Sequence, residues 1–448
     1  MHLQVQRQTV SYVHLDVPPE VLTLIFQFSS LKDVKSARLV CKMFNFAASQ
    51  FLISEIYLSS SKRDLEVLKS VSEHPIFGKY VTDLVYDCRM FDHVLVDDKA
   101  AYAREFLRLP VPPERRGWPL TKEQATASHA RYIEYYHEEK NCRNNGTDMK
   151  CLASALPLLP RLSRVIVTGR NRPPFSFLWP RQPDLRVGCF NDVLPCVKHG
   201  YSISEASRRH DVTWRQGIMD LFQTLSAGHL TSPLQLLAIG THYDCYRPSL
   251  PIEAFELDNM KDKAGCSQAF YHLEKAYLTV DLQKSPRFSK SLGHLHSLKL
   301  LHISFEFSRP SHNVGNHLNR MFGKLSSSHV KSKCLTGSHA DGISLPSLQD
   351  FSIKCLNVTE SGLIDFLDEH SSIRRLSFVH IRIVDGGWLT FLARLKCMGM
   401  NLEVCEINSL EKEIYKTKQT NTPVIEYLNG RGPNPFEDAL IPSIPEYY

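Results

Sequence analysis

The side chains in this sequence that can do chemistry include 20 histidines and 12 cysteines, and their spacing decides whether any of them work together. A zinc protease needs two histidines one helical turn apart with a glutamate between them. His137-Glu138-Glu139 lacks the second histidine. His294-x-His296 places two imidazoles on one face, a spacing that can bind a metal, but no cysteine or carboxylate neighbour completes a tetrahedral set. A solvated pair is the simpler reading. The cysteines are scattered without any Cys-x-x-Cys, and Cys41 and Cys405 stand where an apolar periodicity asks for a small hydrophobe, so they read as reduced and buried. The phosphate loop G-x-x-x-x-G-K-[ST], the dinucleotide turn G-x-G-x-x-G and the hydrolase elbow G-x-S-x-G are all missing. No catalytic residue, metal or cofactor is predicted.

Binding is what remains, and charge limits its kind. A formal net charge of +6 over 448 residues is a mild basic excess. Arg115-Arg116 and Arg208-Arg209-His210 are short and isolated, which suits solvated loops better than a phosphate-binding stripe, so no nucleic-acid partner is expected. The opening Met1 to Gln8 lacks an apolar core, and no later run reaches the roughly 18 apolar residues of a membrane span. The expected location is therefore the cytosol or nucleus, with no membrane contact.

Apolar residues are densest between Leu15 and Phe51. Pro18 and Pro19 suit a first helical turn, where an absent N–H costs nothing, and Glu20 complements the helix dipole. Val21, Leu22, Leu24, Ile25, Phe26 and Phe28 follow almost without polar interruption. Ser30-Leu31-Lys32-Asp33 has capping-box spacing, and Val34, Ala37, Cys41, Phe44 and Ala48 recur at helical steps as one face. Leu39, Val40, Met43 and Phe46 make a second apolar face. Helices apolar on two faces must be covered on both, which a piece of about 40 residues cannot do internally. The excess predicts a protein partner.

Val17-Pro18-Pro19-Glu20-Val21-Leu22, Leu31-Lys32-Asp33-Val34 and Arg38-Leu39-Val40-Cys41-Lys42-Met43-Phe44 resemble, in order and spacing, an F-box. Val17 stands where the family usually has Leu and Phe44 where many members have Trp, and both keep an apolar group. The resemblance implies a helical module that docks on a Skp-type adaptor and so joins a cullin-RING ubiquitin ligase. Carried over position by position, it implies an adaptor face of Pro18, Glu20, Val21, Leu22, Ile25, Leu31, Val34, Ala37, Arg38, Val40, Cys41 and Phe44. It implies no catalytic thiol, since the attached machinery recruits the charged conjugating enzyme. The alternative is a helical hairpin packed on the chain's own downstream domain.

Further on, Asp64 to Val71 predicts a helix with Leu65 and Leu68 inward, and Tyr80 to Tyr86 alternates as a strand. This block resembles the region after the F-box in fungal members of the family. Residues 110–146 are polar, read as a proline-rich loop followed by a Tyr-rich helix from Ser128 to Lys140. Then a unit recurs. Leu273-x-x-Ala276-x-Leu278 returns 25 residues later as Leu298-x-x-Leu301-x-Ile303, and Leu348-x-x-Phe351-x-Ile353 returns after 25 as Ile373-x-x-Leu376-x-Phe378. Leu402-x-x-Cys405-x-Ile407 follows, and Leu162-x-x-Val165-x-Val167 and Leu234-x-x-Leu237-x-Ile239 are weaker copies. This is the leucine-rich-repeat signature, one short parallel strand and one helix per unit, whose core closes only when units stack. Cys355 and His380 stand near the point where many such repeats carry asparagine, so no regular Asn ladder is expected. A mixed α/β domain with chance leucine spacing is the alternative.

The expected fold class is α/β: a three-helix F-box over 14–56, a connecting region over 57–150, an irregular leucine-rich-repeat-like solenoid of parallel strands and helices over 151–410, and a Pro/Gly-rich tail over 411–448. Within the solenoid, 306–344 is poor in large apolar residues and reads as an insertion that proteases cut first. The tail carries too many helix breakers for a packed helix and reads as running along the surface. Residues between the repeat leucines point outward on a strand, which makes Lys275, Tyr277, His302, Asp350, Lys354, Arg375 and Glu406 the expected client face, with Tyr277 and Arg375 as anchors. The expected function is the substrate-recognition subunit of an SCF-type ligase, binding a Skp-type adaptor, a cullin through it, and a protein client. The alternative is a protein-interaction scaffold whose F-box-like helices only cap the solenoid.

Overall fold

The computed structural model describes residues 17–87, 91, 93–107, 121–168, 217–227, 229–240, 250–251, 269–281, 295–305, 345–408 and 421–436. The insertion expected over 306–344 lies outside them.

Three short helices come first, α1 (Pro19–Gln27), α2 (Leu31–Ala37) and α3 (Lys42–Ser49). Proline occupies the first turn of α1 as its fixed φ favours, and Ser30 caps α2 by accepting the Asp33 amide at 3.2 Å and donating its hydroxyl to the Asp33 carboxylate at 2.6 Å. Leu22, Phe26, Val34, Ala47 and Ala48 form the module's core, with the Phe44 ring edge-on to Phe26 at 5.7 Å. The single helical face expected from Val34 to Ala48 is broken, because the chain leaves the helix after Ala37 and Cys41 is extended (φ −160°, ψ 171°) as the N-cap of α3. Cys41 is consequently exposed, a correction to the buried reading, whereas Cys405 is buried and its thiol is pushed up to about 12, first by burial and then by Glu406.

Among the described residues the body is one ten-stranded parallel sheet: β1 (Glu55–Leu58), β2 (Asp83–Asp87), β3 (Arg164–Thr168), β4 (Leu236–Gly240), β5 (Leu250–Pro251), β6 (Lys275–Asp281), β7 (Leu300–Phe305), β8 (Asp350–Val358), β9 (Arg375–Ile383) and β10 (Val404–Asn408). Neighbours follow chain order, except that β4 pairs directly with β6 and the two-residue β5 lies beside β6 off the main path. Every apolar position of the recurring units enters one core, each large side chain there gaining about 1.5–3 kcal/mol by leaving water. Ala276, Leu301, Phe351, Leu376 and Cys405 stand side by side across the strands. Two further copies precede them: Ile53-x-x-Ile56-x-Leu58 and Val81-x-x-Leu84-x-Tyr86, all packed in or against that core. The sheet thus starts at Glu55, within residues read as module and connector, and its second strand is Asp83–Asp87, preceded by a 3-10 turn over Phe77–Tyr80.

Helices connect the strands: α4 (Lys62–Ser72), α5 (His93–Asp97), α6 (Lys99–Leu107), α7 (Lys122–Asn144), α8 (Thr147–Ala155), α9 (217–226), α10 (Glu360–Glu369) and α11 (Trp388–Cys397). Leu65 and Leu68 of α4 face inward as expected. The proline-rich loop expected from Pro110 lies outside the described residues, and the helix expected from Ser128 to Lys140 is longer, since α7 runs 23 residues and packs Ala125 and Tyr132 with Phe91, Leu95 and Tyr102 in a core of its own. Arg143 ties this unit to the sheet, pairing with Glu139 at 3.2 Å and donating to the Tyr86 hydroxyl at 3.3 Å. The tail also departs from expectation: α12 (Asn421–Leu428) follows β10, and Val424 and Phe436 join the main core. Pro423 lies in its first turn, where the lost N–H is harmless, and Gly430 ends it at φ +73°.

Candidate functional site

Successive residues of a helix turn by about 100°, so Leu22 and Phe26 share one side of α1, while Val21, Leu24, Ile25 and Phe28 share another. The first pair is buried in the module and the second set is exposed, Phe28 at 79%. Leu39 (88%), Val40 and Phe46 add exposed apolar surface on the α2–α3 turn and α3. So many large apolar side chains on so small a module mark an interaction surface.

Of the residues expected on that face, Pro18, Glu20, Val21, Ile25, Val40 and Cys41 are exposed, and Leu31, Ala37, Arg38 and Phe44 are half-buried. Leu22 and Val34 are corrections. Both are 2% exposed, because their helical phase turns them onto Ala47 and Ala48 of α3, and they support the face from beneath. Leu24, Phe28, Leu39 and Phe46, outside the set that the resemblance implies, are exposed as well, and their apolar spacing marks them in the sequence.

The second face is the side of the sheet away from the main core. Strand pairing aligns Lys275, Leu300, Asp350, Arg375 and Val404 in one row and Tyr277, His302, Ser352, Ser377 and Glu406 in the next. Ser304 pairs with Lys354, so the register carries across residues 306–344. Tyr277 is a correction: it is 7% exposed, packed in a second apolar cluster with Val85, Ile166, Leu236 and Ala238 on the outward positions of β2, β3 and β4. Pointing away from the helix-side core did not leave it in solvent. Lys354, 9% exposed, is also too buried to act as an open contact. Beside it, burial and the Lys354 ammonium push the half-buried His302 imidazole down to about 4.

Lys275, Arg375 and Glu406 remain exposed. The Arg375 guanidinium lies 3.0 Å from Asp350, whose carboxyl is nevertheless raised, first by burial, against the opposing pull of Arg375. The Ser377 hydroxyl donates to Glu406 at 3.3 Å. Next to this surface His380 adopts φ +55°, rare for a residue with a Cβ, and the inward positions of β9 step from Phe378 to Ile381 instead of alternating. β8 makes the matching step from Ile353 to Leu356, so the two strands stay paired.

His296 is exposed and His294 lies outside the described residues. Among the described residues no group of three His, Cys, Asp or Glu side chains is placed to hold a metal, and no helix is long and apolar enough to cross a membrane.

No curated protein matches the chain. Residues 14–59 match the family described as F-box-like, so the module that bears the exposed stripe of α1 is an F-box-like domain.

Proposed function

We propose that this chain is the substrate-recognition subunit of an SCF-type cullin-RING ubiquitin ligase. The observation that carries the reading is the exposed apolar stripe Val21, Leu24, Ile25 and Phe28, on a face of the F-box-like domain that its own core does not use. A Skp-type adaptor covers that stripe and links the chain to a cullin. Pro18, Glu20, Leu31, Ala37, Val40, Cys41 and Phe44, with the exposed Leu39 and Phe46, complete the proposed adaptor face. The body, read as an irregular leucine-rich-repeat solenoid, holds a protein client on the outward residues of β6 to β10, around Lys275, Arg375 and Glu406. The chain's part in ubiquitin transfer is positioning, which raises the effective concentration of a client lysine at the ubiquitin donor. It works in the cytosol or nucleus without cofactor, membrane or nucleic acid.

The scaffold alternative, in which the helices only cap the solenoid, is less well supported, since a cap has no use for a second apolar face left in solvent. Co-expression with a Skp-type adaptor separates the two. The wild type is expected to co-purify with it, and the doubly charged variant V21D/I25D is not. A folded wild type that fails to bring down the adaptor would leave the scaffold reading in place.

A further inference from the structure

Arg38 lies in the segment whose motif implies an adaptor contact, yet its side chain reaches the body of the molecule. The guanidinium sits over the Phe77 ring, 5.6 Å from its centroid, within range of a cation–π contact. Both partners are held in place. The Arg38 Nε–H donates to the Asn45 side chain of α3 at 3.0 Å. Phe77 belongs to the 3-10 turn between α4 and β2, is partly buried against the sheet's core, and stacks on His74 at 4.0 Å. The His74 Nδ1 accepts the amides of both Ile76 and Phe77 at 3.2 Å, which sets the turn that carries the ring.

The covalent link between module and sheet is short. Phe51 and Leu52 pack on the module's core, the next residue Ile53 packs on the sheet's core, and Glu55 begins β1. A single connection of this kind still leaves the module free to swivel about it, whereas a second contact away from the connector removes that freedom. We infer that Arg38 is a positioning residue: its contact with Phe77 locks the F-box-like domain in one orientation on the sheet. Its significance for ubiquitin transfer rests on the proposed function, because a locked module sets the client face at a constant place relative to the adaptor. The locking itself does not rest on that function.

A cation–π contact changes an equilibrium by about two- to thirty-fold, depending on its exposure. Spin labels attached by a cysteine-independent chemistry at the exposed Lys35 of α2 and Glu66 of α4 report the orientation as a distance distribution on the purified full-length chain. The wild type should give one narrow distribution. Arg38→Ala and Phe77→Leu should each raise the displaced population by that factor, the double variant no further than either single one, and Phe77→Tyr, which keeps the ring, should restore the narrow form. Phe77→Leu lies outside the module, so it tests the lock even if Arg38→Ala unfolds α2. An unchanged distribution in Phe77→Leu, or effects of the two substitutions that simply add, would overturn the inference. Adaptor co-purification of the unlabelled wild type is scored separately, and its failure would sink the ligase reading without touching the lock.

Discussion

At the scale of single residues, polar groups withdrawn wholly or partly from water make the sharpest demands. His302 is held down to about 4 by burial and by Lys354, whereas an unfolded histidine titrates near about 6.5. The folded state therefore keeps the ring neutral, so its contribution to stability is complete above about pH 6.5 and is lost as the pH falls through the folded value. The urea midpoint of the wild type should drop across that window, and His302→Gln, which takes up no proton, should flatten the drop. Equal slopes in the two proteins would assign the titration to another group. Glu360, 7% exposed, joins two helices by accepting the Gly387 amide at 3.4 Å, the Arg394 guanidinium at 3.3 Å and the Thr390 hydroxyl. Glu360→Ala strands these donors and should cost about 1–3 kcal/mol in denaturant unfolding. Neither role is visible in the chain, because His302 and Glu360 look like any outward strand residue or first-turn acid until their neighbours are placed.

At the scale of elements, α1 has a buried side that serves folding and an exposed side to which the proposed function assigns docking. Leu22→Ala empties a packed site and should destabilise the module by about 2–5 kcal/mol. Phe28→Ala removes an exposed ring and should leave its stability within about 0.5 kcal/mol, while weakening adaptor capture. If thermal unfolding shows the two substitutions equally harmful, the inward and outward sides of α1 have been misassigned. α12 has a different task. It packs on the last strand and on α11, and Phe436 lies against Trp388 with ring centroids 6.4 Å apart. β10 ends the strand order among the described residues, and the free edge of a sheet is a template for association. Truncation before Asn421 should lower the melting temperature and produce aggregates in size-exclusion chromatography, and a monomeric truncation with unchanged melting would deny α12 that role. The proline content of the tail hid this helix, because a proline is harmful inside a helix and harmless in its first turn.

At the scale of the whole molecule, the proposed function puts a client surface on later strands of the parallel sheet and an adaptor surface before its first one. Arg375→Ala with Glu406→Ala should reduce client recovery in affinity capture under proteasome inhibition and leave adaptor recovery as in the wild type. Undiminished client recovery would move the client site off β9 and β10. The apolar rows that build this sheet were legible in the chain, because Leu298, Leu301 and Ile303, or Ile373, Leu376 and Phe378, follow a local period that needs no tertiary information. Even the overlooked rows Ile53 to Leu58 and Val81 to Tyr86 obey it. The two-sided apolar character of α1 was legible for the same reason, as was the cap at Ser30. Tertiary structure alone decided which side of α1 faces outward, since both are apolar and the core that Leu22 and Phe26 form with Val34, Ala47 and Ala48 selects the buried one. It also sent Arg38 to Phe77 and shut Tyr277 into a second cluster, because contacts between residues distant in the chain depend on where whole elements lie.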